Sequence, residues 1–290
     1  MKRGKKKRKG ILTPYLFLLP FILIYVVTFL FPAIYSFVLS FYKYKGYGTA
    51  TFVGLSNYKS LLTYRTMWKC LQNTLFYFIF SFVPTMVIAF LLAVTMRSKT
   101  VKRFQNFYKP IIFMPQICAV VASALVFKLI FAGDVGVINQ MLGTDIPFLT
   151  NVKYERWPVV ALITWRGIGW YFIIFLAGLT TVSEDVEEAA IVDGAGPWQR
   201  LRYLLIPLMK PTFMLTFITY AIGALKLYTE PNTLLSNNEV SLSLAPYINL
   251  ITTNVYGGNF GMASAAGWFL VIIILAITLV EMKLLGGEDG

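Results

Sequence analysis

The chain contains no histidine, and only two cysteines, Cys70 and Cys118, in 290 residues. The missing histidine removes the commonest general base and the commonest metal ligand. The two cysteines stand far apart, each in or beside an apolar run, and suit neither a metal site nor a disulfide framework. No G-x-x-x-x-G-K-[ST] run occurs, so the chain brings no P-loop for ATP. Acids are scarce, 13 against 26 Lys and Arg, and none clusters inside an apolar run. These gaps argue against an enzyme: no catalytic residue, no metal and no cofactor is expected. They also weaken an ion-coupled secondary transporter or channel subunit, because Glu230 and Glu281 lie only near the ends of apolar runs.

What the chain has in abundance is apolar residues, 57% of the total, which marks an integral membrane protein. The net charge of +13 sits around the apolar runs, so it reads as orientation in a membrane rather than as nucleic-acid binding. Residues 1–10 hold seven Lys and Arg and no acid, a basic cytoplasmic tail. The charge-free run that follows, Ile11 to Tyr42, is too long for a cleaved signal peptide. It is a first span at about 11–40, with Pro20 and Pro32 expected to bend it.

Five more spans follow at about 70–96, 110–132, 157–180, 211–228 and 262–283, each long enough for a hydrocarbon layer of roughly 30 Å. Pro84 and Pro115 fall within them, and Lys128, Arg166 and Lys226 are their only cations before the last turn. Between spans lie a mixed segment with short structure at 43–69 and a loop at 133–156. An Asn- and Gly-rich segment at 231–262 has room for a helix within Ser241–Asn254. The run Ala263-Ser264-Ala265-Ala266-Gly267 permits close helix contact or serves ordinary packing. Six spans put both termini on one side. The inside segments then hold sixteen of the cations and the outside segments seven, which makes both termini and the segment 181–210 cytoplasmic. The five cations of 43–69 run against that trend.

Segment 181–210 organises the rest. Glu184, Asp185, Glu187 and Glu188 lie together, followed by Ala189 and Ala190, then Asp193, Gly194, Gly196 and Pro197. This predicts a short helix with acids in its first turn, a glycine break, and a second short helix opened by Pro197. Such a hairpin is shaped to dock into a soluble partner.

Here a resemblance enters. The segment from Glu187-Glu188-Ala189-Ala190 through Asp193-Gly194-Ala195 to Leu204-Leu205-Ile206-Pro207 resembles the EAA loop of ATP-binding-cassette importer permeases. Tyr15–Pro20, Pro32–Phe41, Phe52–Tyr58 and Asn73-Thr74 narrow the likeness to carbohydrate importers, of the type of the larger maltose permease subunit. The chain departs from that pattern around Thr229–Asn238. The resemblance implies an all-α, six-span type I importer permease fold in a bacterial or archaeal plasma membrane. It implies a heterodimeric pore with a second permease subunit, two ATPase subunits and an extracytoplasmic solute-binding protein. It assigns ATPase coupling to Glu187, Glu188, Ala189, Ala190, Asp193, Gly194 and Pro207.

Candidate contacts with a sugar are residues offering aromatic faces or polar groups inside spans. They are Asn73, Trp165, Arg166, Trp170, Tyr171, Tyr220 and Tyr228. Arg166 stands out as an ionisable group within a span. Trp157 and Trp165 fit equally an aromatic belt at the membrane interface. Lys128 and Lys226 are expected to snorkel toward the surface.

Overall fold

The computed structural model describes residues 13–97, 101, 103–133, 135–235, 243–252 and 258–286. The basic tail at 1–10 and the stretch 236–242, which takes in the last part of the divergent segment Thr229–Asn238, lie outside the described residues. The chain divides into two compact units.

The first unit comprises residues up to Thr63 together with Leu250–Trp268. Helix α1 (Thr13–Tyr25) runs into a π-helical turn, Val26–Leu30, and on into α2 (Phe31–Leu39). Together they form a membrane-length helix, exposed and apolar on every side, as lipid demands. The π turn has a local cause. Pro32 supplies no N–H and its ring crowds the preceding turn, and the widened turn lets the Phe31 N–H reach back to the Val26 carbonyl. After α2 two short antiparallel strands, β1 (Tyr42–Lys43) and β2 (Thr51–Phe52), precede helix α3 (Ser56–Thr63). Buried Asn57 ties them together, donating to the Ser40 and Tyr42 carbonyls at 2.8 and 2.9 Å. Gly261 lies so close to the Tyr42 carbonyl that a Cβ would fall 1.8 Å from it.

The second unit spans Tyr64–Asn249 and Phe269–Gly290. Its centre is the pair α4 (Arg65–Arg97) and α8 (Arg156–Thr180), packed along much of their length. Met86, Ala89, Phe90, Ala93 and Met96 recur at helical spacing on the buried face of α4. They meet Leu162, Phe172, Phe175 and Leu179 of α8. Phe90, Phe175 and Phe213 pack as a trio with ring centroids 4.9–5.4 Å apart. Helix α4 starts at Arg65, ahead of the expected Cys70, because its first turns lie beyond the apolar stretch.

The expected third span, 110–132, is sharply bent in the structure. It is two helices, α5 (Gln105–Ile117) and α6 (Val120–Ile130), meeting at 90° with Cys118 and Ala119 extended between them. Apolar content measures length, not direction, and the break stands where neighbours take up freed backbone groups. Arg166 of α8 donates to the Gln116 carbonyl at 3.4 Å. The described residues therefore hold five helices of membrane length, or six if the bent pair is one span.

Beyond α6, the short α7 (Val137–Leu142) is anchored by buried Asn139, whose amide donates to the Gly133 and Ile146 carbonyls, both at 2.8 Å. After α8 come α9 (Glu184–Val192) and α10 (Pro197–Arg200). A second π turn, Leu201–Leu205, follows, then α11 (Ile206–Leu208), α12 (Lys210–Leu225) and α13 (Thr229–Leu234). Helices α14 (Leu244–Thr252) and α15 (Phe260–Gly286) complete the chain. Lys128 of α6, expected to snorkel, instead sits 3.4 Å from the Thr233 carbonyl near the end of α13. That places a cation at the negative end of a helix.

Candidate functional site: a surface hairpin and an open cavity

The hairpin is built by local rules. The Ser183 hydroxyl caps α9, accepting from the Asp185 N–H at 3.2 Å, while Glu184, Asp185 and Glu187 occupy the first turn. At its end the Ala195 N–H reaches the Ala190 carbonyl at 2.9 Å and the Gly194 N–H reaches Ile191 at 3.0 Å. This double bond pattern closes a helix through one left-handed residue, and Gly194 has φ +81°. Pro197 opens α10, where its missing N–H has no helical partner to lose. The second π turn ends just before Pro207, with the Ile206 N–H bonded to the Leu201 carbonyl, repeating the device seen before Pro32.

The candidate coupling residues divide by direction. Glu188, Ala189, Asp193, Gly194 and Pro207 are exposed, and Ala190 is half-buried. Val192, Trp198 and Tyr203 stand 86, 68 and 72% exposed around them. This is an outward face of small, acidic and large apolar side chains. Glu187 turns the other way. One carboxylate oxygen lies 2.8 Å from Nε of Arg97 and the other 3.2 Å from Nη1 of Arg200. Arg97 was not singled out in the sequence, since a cation at the end of a span is unremarkable there.

The second feature is a cavity of about 330 Å³ within the second unit. Arg166, Trp170 and Tyr171 of α8, Tyr220 of α12 and Glu230 of α13 line it. Four of the seven sequence candidates thus come together on one wall. Arg166 is buried, and its Nη1 has no hydrogen-bond partner. Tyr171 and Tyr220 rings stand 5.3 Å apart, and the Tyr220 hydroxyl bonds Ser81 of α4. Thr219 and Glu230 add polar groups that reasoning from span composition passed over. Trp165 instead packs on Phe127 at 5.5 Å. Asn73 is buried in α4, and Tyr228 is exposed just before α13; neither borders the cavity. Cys70 and Cys118 are both free thiols.

Helices of membrane length, a cavity lined by polar and aromatic side chains and a charged helical hairpin together suit a membrane transport subunit. Residues 73–284 match the family described as the binding-protein-dependent transport system inner membrane component, and the chain belongs to that family. It is 32% identical over 289 residues to the arabinooligosaccharides transport system permease protein AraP of Bacillus subtilis, covering 96% of this chain and 90% of that one. It is 30% identical to the lactose transport system permease protein LacF of Rhizobium radiobacter, covering 96% of both. Its fold matches a crystal structure of a bacterial ABC transporter that imports the acidic polysaccharide alginate, with TM-score 0.78, 21% identity and 96% of both chains covered. The chain is accordingly a multi-pass permease subunit, not an enzyme.

Proposed function

We propose that this chain is one membrane subunit of an ATP-driven importer of sugars, oligosaccharides or related polyols. ATP is hydrolysed by two separate ATPase subunits. A second permease subunit of the same fold completes the pore, and an extracytoplasmic solute-binding protein delivers the cargo. Both termini and the hairpin 181–210 face the cytoplasm. The observation that carries this reading is the outward face of the hairpin, where Glu188, Ala189, Asp193 and Gly194 are exposed on a Gly194-closed turn. A partner that closes on ATP moves that hairpin, and the motion alternates access to the pore as a shift between two populated states.

The cavity supplies the sugar path. Trp170, Tyr171 and Tyr220 offer faces for the apolar sides of a sugar ring, and Arg166, Thr219 and Glu230 offer hydroxyl partners. The relatives support the cargo class, since AraP and LacF are named for arabinooligosaccharide and lactose transport. The test is reconstitution in vesicles with the candidate ATPases, second permease and binding protein. ATP-dependent uptake of a sugar is expected. Uptake by this chain without ATPase subunits would sink the reading.

A further inference from the structure

The ion pairs behind the hairpin have a consequence for how motion reaches the cavity. Arg97 is the last residue of α4. Its guanidinium meets two other elements at once. Nη1 bonds the Leu179 carbonyl at the end of α8 and Nη2 the Val182 carbonyl just beyond it, at 2.9 Å, while Nε holds Glu187 of α9. Glu187 then hands its second oxygen to Arg200 of α10, so the two arms of the hairpin are cross-linked through one carboxylate.

Packing anchors the hairpin at its flanks, through buried Val182 and Leu205, and not along its two helices. Neither α9 nor α10 contributes a buried residue. A crevice of about 510 Å³ lies between the hairpin and the end of α4, with Thr95, Arg97, Glu187 and Arg200 on its walls. The three charged side chains are only 15–22% exposed, so solvent screens them weakly. Only a planar fork satisfies two carbonyls and a carboxylate together; a lysine ammonium offers a point charge instead.

We propose that Arg97, Glu187 and Arg200 form the joint that makes the hairpin move as one piece with α4 and α8. Arg97 is a positioning residue: it touches neither cargo nor ATP. This rests on the transport reading above. Helix α8 carries the joint at Leu179 and the cavity wall at Arg166–Tyr171, so a shift at one end is a shift at the other. A helix-end cap alone, the simpler role for Arg97, gives Glu187 no part in it.

The test uses the assembled transporter in vesicles and compares R97K, R97Q, E187Q and the R97Q/E187Q double variant with wild type. Sugar imported per ATP hydrolysed is expected to fall about tenfold in R97Q and E187Q, a loss within the range of coupling energies between sites. R97K is expected to fall as well. The ATPase pair stays bound in R97K and R97Q. The double variant is expected to fall by less than the two single losses combined, because each single variant already breaks the Arg97–Glu187 link. A wild-type ratio in R97K overturns the joint. So does a wild-type ratio in E187Q beside a low one in R97Q, which leaves Arg97 as a cap. Hydrogen exchange on the purified complex gives a readout without transport: residues 184–192 should exchange faster in R97Q, and unchanged exchange refutes the proposal. Wild-type vesicles that never import would discredit the transport reading, and the exchange result would still decide the joint.

Discussion

Gly194 shows how a single backbone angle sets a docking surface. Its φ is +81°, and no atom lies within 4 Å of where a Cβ would stand. Conformation, not space, therefore requires glycine, and an L side chain in this region costs about 1–2 kcal/mol. Gly194→Val is expected to disorder the hairpin end and abolish ATP-driven uptake while membrane expression stays normal, as vesicle transport and immunoblotting would report. Asn139 plays the corresponding part in the loop between α6 and α8. Besides its two strong donor bonds, its Oδ1 accepts from the Thr144 hydroxyl and the Ile146 N–H, both at 3.1 Å. Asn139→Ala leaves those groups unpaired, and a loss of about 1–3 kcal/mol is expected. A lowered unfolding temperature in detergent, with residues 133–146 newly open to protease, would record it.

Among the elements, the contact between α5 and α8 is the tightest argument for small residues at a helix interface. A Cβ on Gly169 would fall 2.5 Å from the Ile112 carbonyl and 3.1 Å from Phe113 Cα, both backbone atoms that cannot step aside. In lipid, helices associate through such close packing rather than through exclusion of water. Gly169→Leu should push α5 away, weaken the Arg166 contact with Gln116 and destabilise the subunit. Gly267→Ala, where nothing lies within 4 Å, should be neutral or stabilising by about 0.5–1 kcal/mol. Thermal unfolding of the two variants separates them. The contrast also sharpens the reading of the small-residue run in α15. Ala263, Ala265 and Ala266 are buried, whereas the close approach in that helix is made by Gly261, just outside the run.

For the molecule as a whole, the arrangement of interest is one continuous helix, α8, with a cavity on its flank and a charged joint at its end. If the cavity holds the cargo, changes there should act on cargo affinity and leave the hairpin's partners in place. Arg166→Ala and Trp170→Ala are expected to raise the KM for uptake by about tenfold each, the scale of one lost polar or aromatic contact. The same preparations should still retain both ATPase subunits on affinity purification. Uptake kinetics of the two variants, measured beside subunit stoichiometry, check this. A drop in ATPase retention with normal KM would place Arg166 in assembly through its bond to Gln116 instead.

The order of apolar runs, the hairpin and its glycine turn follow from local sequence: span length comes from charge-free runs, and helix ends come from caps, prolines and one left-handed glycine. Those rules act over a few residues, so the first-turn acids, Gly194 and Pro197 could be read in place. The sharp break at Cys118–Ala119 could not. There Arg166, distant in the chain, donates to the Gln116 carbonyl beside the break. The inward turn of Glu187 is the same kind of fact. In sequence it is one acid among four; in the fold it is the one that Arg97 and Arg200 reach. The sequence by itself determined which elements exist and roughly where they begin. Only the tertiary structure decided which charges meet, because ion pairs and cavities depend on distances between segments that no local pattern encodes.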